Sequence, residues 1–449
     1  MDWPTLLCAD RLGRTKPGHR EPARSDFQRD SDRIIFSSAF RRLQDKTQVF
    51  PLAENDFART RLTHSLEVAS VGRSLGTRVG AHICEKHGLA SAGLHPSDFG
   101  DILHAAALAH DLGNPPFGHS GEDAIRHWFK DTTNPIVAQA RERLSAATIA
   151  DITHYEGNAQ GFRILTRLQM PDNPGGLQLT FATLGAFTKY PRASIIVANP
   201  HTGASTKKLG YFATEREHFQ AVAIACNLPW RSLGCCTRHP LAFLLEAADD
   251  ICYRLVDFED GLHLGHLRYE EVRDAFLAII PRHPRDLEAM TSRKAAIEML
   301  RAMAIGACLD QCTAAFIENE PGILAGTYDT PLVEAIPATA ALRAIHDRSR
   351  ETIYKTNRGA QIEIAGYEVL GGLLDLFMSA VNDIAAQGHR APRRSHILLG
   401  QLPKDCVTAA TNDNPAERIM RLLDYISGMT DSYAVSLHRR LTGIALPGR

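Results

Sequence analysis

"AALAHDLGNPPFGHSGED", residues 106–123, is the stretch from which the chain is read. A run of small apolar residues delivers His110 and Asp111 side by side. Pro115 and Pro116 then stop that helix, because proline has no N–H to donate and disfavours helical backbone in the residue before it. Beyond the break stand His119, Glu122 and Asp123. Adjacent histidine and aspartate are costly to bury on an apolar helix end unless something holds them.

Around this stretch the periodicity is helical. Segments 34–48, 61–87, 99–112, 121–146, 156–169, 215–226, 239–258, 269–279, 286–318, 331–349, 361–387 and 416–441 carry apolar residues at helical spacing, with Gly and Pro between them. Residues 171–213, rich in Gly, Pro, Thr and aromatics, read instead as an irregular insertion with room for a hairpin. No internal repeat or low-complexity segment is seen. The class is all-α.

Composition narrows the function. The 449 residues suffice for one large or two medium domains, and 44% hydrophobic with 22% charged is ordinary for a globular protein. The net charge of −1 neither demands nor excludes a nucleic-acid partner. Basic residues cluster at Arg11–Arg24, Lys207–Lys208 and His389–Arg394, runs that are usually solvated surface. No apolar stretch reaches the ~18–20 residues of a membrane span, and the N-terminus lacks a signal-peptide pattern. The nine cysteines are an odd number with no paired CxxC, so neither a disulfide framework nor a zinc site is expected. Cytoplasm, without a membrane partner, is the consistent address.

The polar residues fall on apolar helix faces. His64, Val68, Val71 and Leu75 share one inward face, as do Leu103, Ala107 and His110. In "LLEAADDICYRLVDFEDG", Asp249, Tyr253 and Asp257 form a polar stripe beside the apolar one of Leu244, Ala248, Ile251 and Leu255. Singly, each has a dull explanation: a hydrogen-bonded core histidine, a chance His-Asp pair, a wet acidic face. Together, imidazoles and carboxylates on three otherwise apolar helices are the ligands that suit Mn, Mg, Fe, Ni or Zn.

The order His64, His110-Asp111, Asp249 resembles the H…HD…D signature of HD-domain metal-dependent phosphohydrolases. Within them the chain resembles the deoxynucleoside triphosphate triphosphohydrolases, of the deoxyguanosine triphosphate triphosphohydrolase-like group. The matching segments include "RTRLTHSLEVA", "HDLGNPPFGHSGE", "HYEGNAQGFRIL", "LGAFTKYP", "EAADDICYRLVDFEDG" and "LLDYISGMTDSYA". The resemblance implies an N-terminal segment (1–60) that contributes to the active site, an HD domain (61–265) and a C-terminal helical region (266–449). It also implies a divalent metal ion on His64, His110, Asp111 and Asp249.

By the same resemblance, Tyr253 and Asp257 face the deoxyribose, Arg61 and Lys189 the triphosphate, and Gln44 the sugar or base. His119 and Glu122 resemble the proton-transfer pair. Asn114 stands where many relatives carry histidine; it can donate a hydrogen bond to phosphate but cannot carry a proton. The implied activity is hydrolysis of dGTP, or of other dNTPs, to deoxynucleoside and tripolyphosphate. Homo-oligomers, often hexamers, and a nucleotide or single-stranded nucleic-acid effector belong to the same expectation. The alternatives are an HD-domain nucleotidase or phosphodiesterase, and a nucleotide- or nucleic-acid-binding regulator with little turnover.

Overall fold

In the computed structural model, the described residues are 1–15, 23–48, 59–197, 203–282, 284, 287, 290–354 and 357–445. At their centre two helices, Arg61–His87 and Pro96–Ala109, touch backbone to backbone. Glycine makes this possible: a Cβ on Gly76 would lie 2.6 Å from the carbonyl oxygen of Phe99. Thr60 starts the first helix by accepting the Thr63 N–H, and Gly88, in the left-handed region at φ 64°, ends it. Helix Pro240–His263, capped by His239, lies across both, and Arg293–Ala325 packs against it and against Arg61–His87.

These helices share one apolar cluster, in which Val68, Leu75, Leu103, Leu244, Ile251 and Phe316 are all buried. A second cluster forms where helix Gly118–Lys130 lies on the C-terminal helices, through Ile125, Phe129, Leu370, Phe377 and Leu423. The His110–His119 turn runs between the two clusters. The all-α reading holds: among the described residues the one sheet is a pair of antiparallel strands, Arg192–Val197 and Trp230–Cys236.

Several expected elements differ. The hairpin looked for in 171–213 is absent among the described residues, because strand Arg192–Val197 pairs with 230–236 beyond that segment; residues 198–202 lie outside the described ones. A helix, Phe181–Phe187, begins at Thr180 in the supposed loop. The expected helix 121–146 is two, Gly118–Lys130 and Pro135–Arg141, parted where Asn134 caps a new start. Likewise 416–441 breaks between Ser427 and Asp431, and 34–48 between Ile35 and Ser38. Local caps outweighed an apolar period that runs on across each break. Helices Arg393–Leu399 and Lys404–Ala410 were not expected.

Two helices do have the length and hydropathy of a membrane span, 293–325 and 360–390, against the expectation of none. Both carry a buried apolar face: Leu300, Cys308, Cys312 and Phe316 on one and Leu370, Leu373 and Phe377 on the other are buried. That is the behaviour of core helices. Cys308 and Cys312 are thus core residues, as their spacing suggested.

Backbone proximity yields a contrast between two glycines. A Cβ on Gly113 would meet the Gly157 carbonyl oxygen at 1.9 Å and the Gly161 nitrogen at 2.2 Å, whereas one on Gly306 meets nothing within 4 Å. Gly113→Ala is expected to destabilise by ~1–3 kcal/mol or more. Gly306→Ala, in a helix interior, should stabilise by about 0.5–1 kcal/mol. Urea unfolding midpoints check both, and equal midpoints would contradict this packing.

Candidate active site

Three helices deliver three ligand atoms to one point. His64 comes from the first turn of Arg61–His87, His110 from the end of Pro96–Ala109, and Asp249 from the middle of Pro240–His263. Their ligand atoms all lie within 4.8 Å of one another. His64 Nε2 is 3.1 Å from Asp249 Oδ1, and the two imidazole rings are 5.3 Å apart. His110 Nδ1 donates to the Ala107 carbonyl at 2.7 Å, which puts the lone pair on Nε2. That buried Nε2 has no hydrogen-bond partner. An orphaned imidazole nitrogen beside a second imidazole and a carboxylate fits a divalent ion, and the carbonyl behind His110 is the usual orienting partner. Asp249, rather than its neighbour Asp250, joins the group.

Asp111 stands beside this group and is engaged elsewhere. Its Oδ2 accepts from Arg61 Nη1 at 2.8 Å and its Oδ1 from Asn114 Nδ2 at 2.6 Å, while His110 Nε2 is 3.6 Å from Oδ1. It lies past the end of the helix, so its carboxylate points along the turn. Burial opposes its charge, but the Arg61 guanidinium outweighs that and holds the carboxyl well below its usual range.

Lys189 faces the same centre. Its ammonium lies 2.5 Å from Asp249 Oδ2. Arg238 fixes this segment by donating to the Lys189 carbonyl oxygen and pairing with Glu246. Burial works against both charges, yet each holds the other: the Lys189 pKa is raised and that of Asp249 falls well below normal.

The group opens into a cavity of about 730 Å³, within the ~300–1,000 Å³ of small-molecule sites. Arg61, Lys189 and Lys208 line it, as do Asn114, His119 and Tyr253. The His119 side chain is exposed to the cavity. The wall behind it, together with Lys208 and Arg61, lowers its pKa, and Glu122 opposes. No hydrogen bond joins His119 to Glu122, the two residues that resemble the proton-transfer pair. Glu122 spends its oxygens on the Gly157 N–H at 2.6 Å and on Arg126 at 3.1 Å, and so reaches His119 by charge alone.

Two further expectations are corrected. Gln44 is exposed on the short helical turn Leu43–Asp45 and does not line the cavity; Gln48, four residues on, does, and its buried Oε1 has no hydrogen-bond partner. Asp257 is set back behind Tyr354, whose hydroxyl donates to its Oδ2 at 3.0 Å. Burial pushes the Asp257 carboxyl up to about 7. Tyr253 does line the cavity, stacked on Tyr354 with ring centres 5.5 Å apart. Tyr354, Arg350 and His346 line it too and carried no sequence signal; so does Tyr190 of the "LGAFTKYP" segment, which was given no role. Lys208 sat in a doublet read as surface.

Residues 61–167 match the HD domain profile and residues 335–440 the phosphohydrolase-associated domain. Helical architecture, the His64–His110–Asp249 group and this match define an HD-domain protein, the fold of metal-dependent phosphohydrolases. A "deoxyguanosinetriphosphate triphosphohydrolase-like protein" of Synechocystis is 44% identical over 99% of this chain and 100% of its own. One from Pseudomonas aeruginosa is 41% identical over the whole of both chains. A "deoxyguanosinetriphosphate triphosphohydrolase" of Salmonella enteritidis is 30% identical over 93% of this chain and 94% of its own. The chain belongs to the deoxyguanosinetriphosphate triphosphohydrolase-like family.

The Lys189–Asp249 contact separates two properties of the site. Asp249→Ala should weaken manganese binding by about tenfold or more, since lesser changes around metal ligands already cost ~10–100-fold. Lys189→Ala should tighten it, because an ammonium no longer competes for Asp249. Titration calorimetry with Mn²⁺ alone checks both. Full manganese occupancy in Asp249→Ala would remove Asp249 from the ligand set.

Proposed function

We propose that the protein is a divalent-metal-dependent deoxynucleoside triphosphate triphosphohydrolase, with dGTP the first substrate to test, releasing deoxynucleoside and inorganic tripolyphosphate. One observation carries the reading: a single cavity joins the His64–His110–Asp249 group, four cationic side chains and a stacked tyrosine pair. The names of the relatives agree with it. Asp111 completes the ligand set in this reading by turning one oxygen from Asn114 or Arg61 toward His110. The ion supplies, when bound, charge neutralisation at the phosphate and acidification of water.

The chain's own residues do the rest. Arg61, Lys189 and Lys208 offset the charge of a triphosphate, and Lys189 exchanges Asp249 for a phosphate oxygen. Asn114 donates a hydrogen bond to phosphate, being released from Asp111. Cleavage between the α-phosphorus and the 5′-oxygen of the sugar needs a proton on that departing oxygen. His119 is the imidazole in the cavity that can bring it. A bound triphosphate adds negative charge beside His119 and moves its lowered pKa back up, so the protonated form becomes available with substrate in place.

The Tyr253–Tyr354 stack is the wall for the sugar. A ring against the 2′ edge leaves a ribonucleotide's hydroxyl without space or partner, at a cost of ~1–3 kcal/mol. Asp257 acts through Tyr354, whose hydroxyl it orients toward the 3′-hydroxyl. The same reading places the protein in the cytoplasm as a homo-oligomer, which light scattering checks.

Each of the four dNTPs and GTP, incubated with the manganese-loaded protein and resolved by chromatography, tests the assignment. Expected are deoxyguanosine and tripolyphosphate from dGTP, with kcat/KM for GTP lower by ~10-fold or more, and a smaller ratio in Tyr253→Ala. No turnover of any dNTP would overturn it. His119→Ala should keep manganese affinity and lose ~10²-fold in kcat; unchanged kcat would mean that another group moves the proton.

A further inference from the structure

The motif "LLDYISGMTDSYA", residues 422–434, has no task in the chemistry above. It joins helices Pro415–Ser427 and Asp431–Leu441 inside the phosphohydrolase-associated domain, and it lies against the turn that carries His119. The Asp431 carboxylate is buried. Its Oδ1 accepts the Phe117 N–H at 3.0 Å; its Oδ2 accepts the Thr47 N–H at 3.0 Å and the Thr47 hydroxyl at 2.6 Å. One carboxylate thus ties the cavity-lining Thr47 to the residue two before His119.

Two further ties run beside it. The buried Lys46 Nζ donates to the Asn114 carbonyl oxygen at 2.5 Å and to that of Ser427 at 2.8 Å. Asp424 pairs with Arg163 at 2.8 and 2.9 Å and accepts from Gln160 at 2.9 Å. Arg163 and Gln160 belong to helix Gly157–Arg163, against which Gly113 is pressed. Phe117 itself is a non-glycine residue in the left-handed region, at φ 64°, followed by Gly118 at φ 58°. Two such residues in succession aim the chain at His119, and a β-carbon-bearing residue stays there only when its surroundings hold it.

We propose that Asp431 is a positioning residue: by holding the Phe117 N–H it sets the direction of His119 in the cavity and couples the C-terminal helices to proton transfer. This rests on the reading of His119 as the proton-transfer group. The chemistry is a hydrogen-bond clamp; no bond to substrate or metal is involved.

The test compares Asp431→Asn and Asp431→Ser with Leu437→Ala, which loosens the packing of the same helix and leaves the carboxylate in place. Amide hydrogen exchange in the full-length protein, followed in a peptide spanning 113–122, should quicken in both Asp431 variants and stay near wild type in Leu437→Ala. With manganese and dGTP, the Asp431 variants should lose about tenfold or more in kcat while KM and manganese affinity stay within about twofold, since small misplacement of a reacting group costs rate. The double variant His119→Ala/Asp431→Asn should be no slower than His119→Ala, because the clamp acts through the imidazole.

Unchanged exchange in 113–122, equal loss of kcat in Leu437→Ala, or a further tenfold loss in the double variant would each overturn the proposal. If wild-type protein hydrolyses no dNTP, the functional reading fails, and the exchange comparison still decides whether Asp431 holds the turn.

Discussion

The contact of helices Arg61–His87 and Pro96–Ala109 through Gly76 and the backbone at Phe99 is the constraint on which the site depends. Without side chains between them the two backbones come close enough for His64 and His110 to stand with their rings 5.3 Å apart. The third side chain, Asp249, arrives on a helix that crosses over small residues: the nearest atoms to a Cβ at Gly72 are on Leu103, Ala107 and Ala248. A larger residue at Gly76 would push the helices apart, and the ligand atoms would no longer meet.

Such a centre concentrates charge in a place where charge is costly, and the surrounding groups show how the cost is met. Asp249 is offset by Lys189, and Asp111 by Arg61. Deeper in the wall, Glu122 and Glu156 share Arg126 and Lys208. Glu156, beside a like charge and buried, has its carboxyl raised to about 7. Pairs of this kind contribute little net stability, because desolvation cancels much of the attraction. In the proposed function these two cations change partners, Lys189 and Arg61 turning from their carboxylates to the phosphates of an anionic ligand.

Much of this was legible in the chain, and what was not has physical reasons. His64 and His110 could be placed because their helices are apolar elsewhere, so a polar residue on the inward face stands out; Asp249, on a polar stripe, was chosen by the family resemblance. His119 was named by the resemblance, and the Pro-Pro break accounted for its turning back toward the pocket. Gln44 was placed by resemblance alone; the helix expected through 48 ends at Arg42 and tightens into a short turn that leaves Gln44 exposed and Gln48 on the cavity. Tyr354 reaches the cavity from a wide helical turn at Arg350–Tyr354, far along the chain, where no local pattern announces it. Glu122 was correctly seen near His119, but its partners are a backbone N–H and an arginine. Asp431 bonds to Phe117 and Thr47, 314 and 384 positions away, which spacing alone cannot show.

The proposed reaction adds water at the α-phosphorus and a proton, carried by His119, at the departing 5′-oxygen. Turnover of dGTP in ¹⁸O-labelled water, with mass spectrometry of the products, tests it most directly. One ¹⁸O atom is expected in each tripolyphosphate and none in deoxyguanosine. Label in deoxyguanosine, or release of dGMP or orthophosphate in place of tripolyphosphate, would contradict it.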